Sequence, residues 1–248
     1  MAARRGGEAG RSSGGSASKR SSRTGGVSDP RAVRRRLVRI GKALEHRYGR
    51  PEYRTRRDLV AGLVRTILSQ NTTDTNSRGA FLALRERFPE WEQVASANVR
   101  SIESAIRSGG LARTKARRIK RILRDIEAST GELDLGFLRD LSDDEVFEYL
   151  VALDGVGAKT AACVALFDLG RDVMPVDTHV HRVVGRLGVV GRPSSRDATY
   201  ESLKAVVPPG ESLSLHVNMI RLGREFCRPR NPDCVACPVR KDCDEGRL

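Results

Sequence analysis

One stretch, Leu153 to Arg182 (LDGVGAKTAACVALFDLGRDVMPVDTHVHR), limits what this chain can fold into more than any other. Gly155 and Gly157 precede a run from Ala161 to Phe167 that is apolar on every side. A helix of that kind belongs in the middle of a domain, so other helices have to surround it. Cys163 lies inside the run and reads as a core residue. The two glycines permit positive φ and let backbone amides turn outward, which predicts a small nest for a phosphate oxygen at a helix start. Lys159 follows at once. It is open to two readings: a cation that holds the phosphate or, when unprotonated, a nucleophile. Asp177 comes after Pro175, where it is placed to cap the next helix.

The rest of the chain repeats helical spacing. Val33, Leu37, Ile40 and Leu44 mark a first amphipathic helix with arginines on its other faces, closed by Gly49 and Pro51. Val60, Leu63, Val64, Ile67 and Leu68 mark a second, which runs into Ser69-Gln70-Asn71-Thr72-Thr73-Asp74. Locally that junction is a polar turn with caps for the next helix. A shorter helix from about Val99 to Ser108 ends at Gly109-Gly110, and Leu111 follows. The segment from Ala112 to Ala128 is thick with arginine and lysine, the pattern of a solvated helix face. Ser142 and Glu145 form a capping box ahead of Val146, Phe147 and Leu150. Further helices fit about Asp197 to Val206 and Leu213 to Phe226. With aromatics at 4% and no sustained period-two alternation, the chain reads as all-α.

Forty-five basic against 31 acidic residues give a net charge of +14, which points to a polyanionic partner. Residues 1–29 hold six basic and two acidic side chains, so +10 of that charge lies beyond them. Those residues are Gly, Ser and Arg with little to bury, and read as a disordered basic arm. No run approaches a membrane span and no secretory signal opens the chain, so an intracellular, cytoplasmic protein is expected. Four of the five cysteines fall in Cys227-x6-Cys234-x2-Cys237-x5-Cys243. In such a chain they suggest metal ligation, and ligand type alone does not separate zinc from a [4Fe–4S] cluster.

The hairpin Leu153-Asp154-Gly155-Val156-Gly157-Ala158-Lys159, then Val176-Asp177-Thr178-His179, then the four cysteines, resembles the helix-hairpin-helix DNA glycosylases. The branch it looks most like is endonuclease III, over roughly residues 31 to 243. The resemblance implies two helical domains with a cleft between them. One, residues 52–171, is a six-helix barrel with the helix-hairpin-helix; the other joins residues 30–51 to 172–248 and holds a [4Fe–4S] cluster on Cys227, Cys234, Cys237 and Cys243. It implies a bifunctional glycosylase and AP lyase of base excision repair, with Lys159 as Schiff-base nucleophile and Asp177 as its carboxylate. Its substrate would be damaged duplex DNA bearing oxidised pyrimidines, and it would act as a nucleoid-associated monomer.

Gln70 and Asn71 would enter the DNA to fill the gap left by an extruded nucleotide, with Asn71 where the family often has Gln. Leu111 would wedge into the base stack, although a leucine after a Gly-Gly turn is often only core, and Lys115 would lie near the DNA backbone. Gly155, Gly157, His179, Arg228 and Arg230 would complete the DNA contacts. His46 and His216 read as surface or packing residues. Asp154 departs from the family's proline and sets a carboxylate beside the phosphate nest. Two alternatives stand beside this reading: a glycosylase of the same fold with another lesion preference, and a non-enzymatic DNA-binding iron-sulfur protein.

Overall fold

The computed structural model of the chain describes residues 29–53, 57–191 and 195–247. Every regular element among them is helical: α1 (Pro30–Tyr48), α2 (Leu59–Leu68), α3 (Asp74–Arg87), α4 (Trp91–Ser96), α5 (Val99–Ala105), α6 (Ala112–Thr130), α7 (Asp143–Ala152), α8 (Ala158–Phe167), α9 (Thr178–Leu187), α10 (Arg196–Lys204) and α11 (Ser212–Glu225). This is the all-α class that the sequence predicts. The basic arm expected over residues 1–29 lies outside the described residues except for Asp29, whose carboxylate accepts from Arg31 N and caps α1. No helix among the described residues is long and apolar enough to cross a membrane.

Caps set most of the helix starts. Asp58 accepts from Ala61 N at 2.7 Å to begin α2, and the same carboxylate accepts from the Trp91 indole at 3.0 Å, tying α2 to α4. Thr73 caps α3, Asn98 caps α5, and the Ser142–Glu145 capping box begins α7. The helix expected from Val99 to Ser108 is shorter, with α5 followed by a 3-10 turn at Arg107–Gly109. Gly109 explains the turn, because a Cβ there would come within 3.0 Å of the Ala80 side chain in α3. Glycine avoids that tight contact.

Two clusters of buried apolar side chains form. The first runs from Leu59 to Val164 and joins α2 through α8. The second sets Leu37, Ile40 and Leu44 of α1 against Val180, Val183 and Val184 of α9 and Leu215, Met219 and Leu222 of α11. Each fully buried Leu, Ile or Val side chain contributes roughly 1.5–3 kcal/mol. That is why α1 packs along α11 although the chain between them builds the first cluster. The cysteine segment closes onto the second cluster through Val239, and Arg36 of α1 pins it by donating to the Asp242 carbonyl at 2.8 Å. Helix α8 touches α2, α7 and α11, so the apolar run of the sequence does sit at the centre.

Candidate active site

The hairpin between α7 and α8 is a tight reversal with one residue at positive φ, Gly155 at +71°. The backbone there calls for glycine, and a Cβ would also fall 1.9 Å from Arg118 Nε, so the arginine lying across the turn would have to move. Gly157 corrects the expectation. It is extended, at φ −87° and ψ 174°, and a Cβ would meet nothing within 4 Å. Its part is to begin α8 without any side-chain cap, which leaves the N–H groups of Ala158 and Lys159 without a side-chain acceptor, while Thr160 N donates to the Gly157 carbonyl. Asp154 does not spoil the nest unopposed: its carboxylate lies 3.6 Å from the Arg121 guanidinium.

Lys159 is the second residue of α8 and lines a cavity of about 870 Å³ between the two cores. Arg65, Phe81, Cys163, Phe167, His216 and Arg224 are among the other residues of that wall. Asp177 is not part of the wall. It is half-buried at the start of α9, where its Oδ1 accepts from Val180 N at 2.7 Å. The capping role read from sequence is therefore real, and the carboxylate still acts on the cavity. Burial comes first in raising the Cys163 thiol and in pulling His216 down to about 4; beyond it, the charges of both Lys159 and Asp177 reach both groups. The structure thus brings Lys159 and Asp177 into one electrostatic neighbourhood. His216 was read as surface or packing; it is buried, but it forms part of the cavity wall.

The flanking loops divide the remaining candidates. Gln70 is tied inward, its amide donating to Thr160 Oγ1 at 3.2 Å and accepting from Arg118 Nη1 at 2.7 Å. Asn71 beside it is exposed at φ +52°, so of the two it is the one presented at the surface. Leu111 is also exposed (59%) and left-handed, at φ +49°. A leucine held out of the core in that backbone region is unusual and suits a wedge better than packing. Lys115 corrects the sequence reading. It is 2% exposed, and its ammonium donates to the carbonyls of Leu68 at 2.7 Å and Gly109 at 2.9 Å. Burial lowers its affinity for the proton. It braces the end of α2 against the loop before α6 and does not reach outward. His179 is half-buried, its Nδ1 accepting from Arg182 Nη2 at 3.0 Å, and its ring packs against Gly223.

The four C-terminal cysteines line one small cavity, with Phe226 and Val239 beside it in the second core. Donors are aimed at the sulfurs: Gly246 N at 3.3 Å from Cys243 Sγ and Arg186 Nη1 at 3.5 Å from Cys227 Sγ. Burial and then the neighbouring thiols push Cys237 up to about 11, and Cys243 is raised in the same way. Such a cluster of thiols is stable as thiolates only around a cation. Among the described residues no three His, Cys, Asp or Glu side chains converge closely enough to hold a single metal ion. Sequence reasoning missed what holds this loop. Arg182 donates to the Gly223 and Cys227 carbonyls, both at 2.9 Å, and Arg186 to those of Arg228 at 2.7 Å and Pro229 at 3.0 Å. Their i, i+4 spacing on α9 was the available signal. Arg228 and Arg230 remain exposed on the loop they brace.

The family described as HhH-GPD superfamily base excision DNA repair protein matches residues 64–209, more than half of the 248-residue chain. An Arabidopsis thaliana protein named as a candidate DNA glycosylase is 46% identical over 147 residues, covering 59% of this chain and 50% of its own length. The chain thus spans about half of that relative. Endonuclease III of Sulfolobus acidocaldarius is 34% identical over 189 residues, covering 75% of this chain and 82% of its own. A solved structure of endonuclease III trapped as a covalent intermediate with DNA superposes with a TM-score of 0.73 at 28% identity, over 86% of this chain and 97% of that one. On its hairpin, its all-helical fold and these matches, the chain belongs to the HhH-GPD superfamily of base excision DNA repair proteins and is endonuclease III-like within it.

Proposed function

We propose that this chain is a bifunctional DNA glycosylase and AP lyase that removes oxidised pyrimidines from damaged duplex DNA. The observation that carries the reading is Lys159, seated at an uncapped helix start on the wall of the 870 Å³ cavity, with the Asp177 charge acting on the same wall. The glycosidic carbon is unreachable inside a base stack, so the nucleotide has to swing out into such a cavity. The Lys159 lone pair then attacks C1′ as the C1′–N bond breaks, and the base departs with the bonding electrons. Asp177 stabilises the positive charge that develops on the sugar. The amine next forms C1′=N as the C1′–O4′ bond opens and O4′ takes a proton. Loss of the acidified C2′ proton expels the 3′ phosphate and nicks the strand. That solved endonuclease III was trapped covalently on DNA supports the analogy.

The lining of the cavity supports this substrate class. Arg65, Arg78, Arg221 and Arg224 line the cavity, and a guanidinium donates hydrogen bonds without accepting any. Arg224 is paired with Asp74, Arg221 donates to the Tyr48 carbonyl and the Arg65 guanidinium lies over the Phe81 ring, so a base rich in carbonyl oxygens would meet these groups partly in exchange for their present partners. The four cysteines line one small cavity with N–H groups pointing at the sulfurs, and the likeness to endonuclease III favours a [4Fe–4S] cluster over zinc there. When bound, that cluster crosslinks the C-terminal loop and so presents Arg228 and Arg230 to phosphates. In this reading the barrel lobe is residues 52–171, the cluster lobe is 30–51 with 172–248, and the protein works as a cytoplasmic, nucleoid-associated monomer.

Borohydride trapping on a duplex with an abasic site tests the chemistry. The wild type is expected to become linked to DNA and Lys159→Ala is not. Failure of both to cross-link while both bind would remove the lyase reading. Iron and sulfide analysis of the purified protein tests the cluster against zinc.

A further inference from the structure

We propose that His216 is a positioning residue for the Lys159–Asp177 pair, holding the extended segment that carries Asp177 against the helix that lines the cavity. The inference rests on the reading of Lys159 and Asp177 given above. His216 sits on α11, is 3% exposed, and lines the same cavity as Lys159. Its Nδ1 lies 2.9 Å from the Pro175 carbonyl. A carbonyl only accepts, so Nδ1 carries the hydrogen and the tautomer is set, with Nε2 bare. Proline has no N–H, which leaves this carbonyl as the one backbone polar group of a buried residue. His216 satisfies it, and Pro175 is two residues before Asp177.

The stretch that carries Asp177 has no regular structure of its own between α8 and α9. Its upstream end is held elsewhere: the Asp172 carboxylate accepts from the Gly210 and Ser212 amides, and the Arg171 guanidinium reaches the carbonyls of residues 139 and 141. The downstream end is held by the His216 bond and by the cap that Asp177 makes on α9. The groups that act on the imidazole are Lys159 and Phe167 of α8, with the Phe167 ring edge-on at 5.6 Å, and Pro175 and Asp177 of the segment between α8 and α9; Cys163 lines the same cavity. Burial keeps the ring neutral, at about 4, so it adds no positive charge beside the amine that has to attack. One side chain thus touches the helix of Lys159, the segment of Asp177 and the cavity.

The experiment uses the full chain with its cluster and three variants. His216→Phe fills the space without a donor. His216→Asn offers an amide N–H near the position of Nδ1, and His216→Gln carries its amide one carbon further out. Single-turnover base release is measured on a duplex containing one thymine glycol, in the wild-type and Asp177→Asn backgrounds. Phe and Gln are expected to slow release about 10- to 100-fold and Asn by less than about 3-fold. In the Asp177→Asn background the Phe substitution is expected to cost less than about 3-fold more, because the two residues act as one unit. Equal losses in both backgrounds would mean that the ring supports the fold alone, and an unslowed Phe variant would likewise end the proposal. Should the Phe variant not fold by circular dichroism, the contrast between Asn and Gln decides in its place. A wild type that forms no borohydride cross-link would instead overturn the Lys159 reading itself.

Discussion

The starts of α6 and α8 invite comparison. Each follows a turn with a residue at positive φ, Leu111 at +49° and Gly155 at +71°, and neither has a side-chain cap. Each also carries a lysine within its first four residues. Lys115 is the fourth residue of α6, and helical side chains slant back toward the N-terminus. Its stem therefore runs inward to the two carbonyls that take its hydrogens. Lys159 is the second residue of α8, with the hairpin ahead of it and a cavity beside it. Lys115 is thus a brace, whereas Lys159 stands on the cavity wall, where the proposed chemistry would use it. The deciding feature is which acceptors wait along the stem, and residue type alone carries no such information.

The sharpest way to break this comparison is to remove each amine in turn. Lys159→Ala should slow cross-linking to an abasic duplex by at least about 1000-fold, since nothing else supplies the nucleophile. Its melting temperature should move little, because alanine is a good helix former and the half-buried lysine opens onto the cavity. Lys115→Ala should keep its cross-linking rate per folded molecule. If Lys115→Ala lost the cross-link and Lys159→Ala kept it, the roles assigned to the two helix starts would be reversed.

Asp177→Asn comes next. Asparagine caps a helix as well as aspartate does, so the substitution removes charge and leaves the start of α9 intact. Base release should fall about 100-fold with little change in melting temperature. A large fall in stability with normal release would reduce Asp177 to its capping role.

These assignments show what could be read from the sequence. The all-α class, the capping box at Ser142 and the central place of α8 follow from spacing, because periodicity reports which face is buried. The sequence singled out Lys159, Asp177 and the four cysteines as a set; in the fold Lys159 lines a cavity, the cysteines line another, and Asp177 caps α9. The place of Lys115 was not legible: its two acceptors lie on α2 and on the loop before α6, and no local pattern encodes a partner 47 positions away. His216 was hidden for the same reason, its acceptor being Pro175, 41 residues earlier. Gln70 and Asn71 were left undivided because only the fold brings Arg118 and Thr160 to one of them.

The bracing role of Lys115 has a smaller effect than either chemical substitution. Lys115→Met keeps the length and apolar stem but leaves the Leu68 and Gly109 carbonyls without this donor. The expected loss is about 2–3 kcal/mol, or roughly 4–12 °C in melting temperature for a chain of this size. A variant that melts with the wild type would show that these carbonyls find other donors.

The smallest expected effect separates the two glycines of the hairpin. Gly155→Ala places a Cβ at positive φ and against Arg118, and should cost about 1–2 kcal/mol from the backbone alone. It should also shift Arg118, and with it the hydrogen bond to Gln70. Gly157→Ala meets no atom within 4 Å and needs no unusual backbone, so stability should change by less than about 0.5 kcal/mol. Its methyl would nonetheless stand at the helix start where a phosphate oxygen is expected to sit. Duplex affinity at low salt should then drop by a few fold in Gly157→Ala while its melting curve overlays the wild type. Unchanged affinity would mean that the amides of α8 do not meet the DNA backbone, leaving Lys159 as the one working part of that helix start.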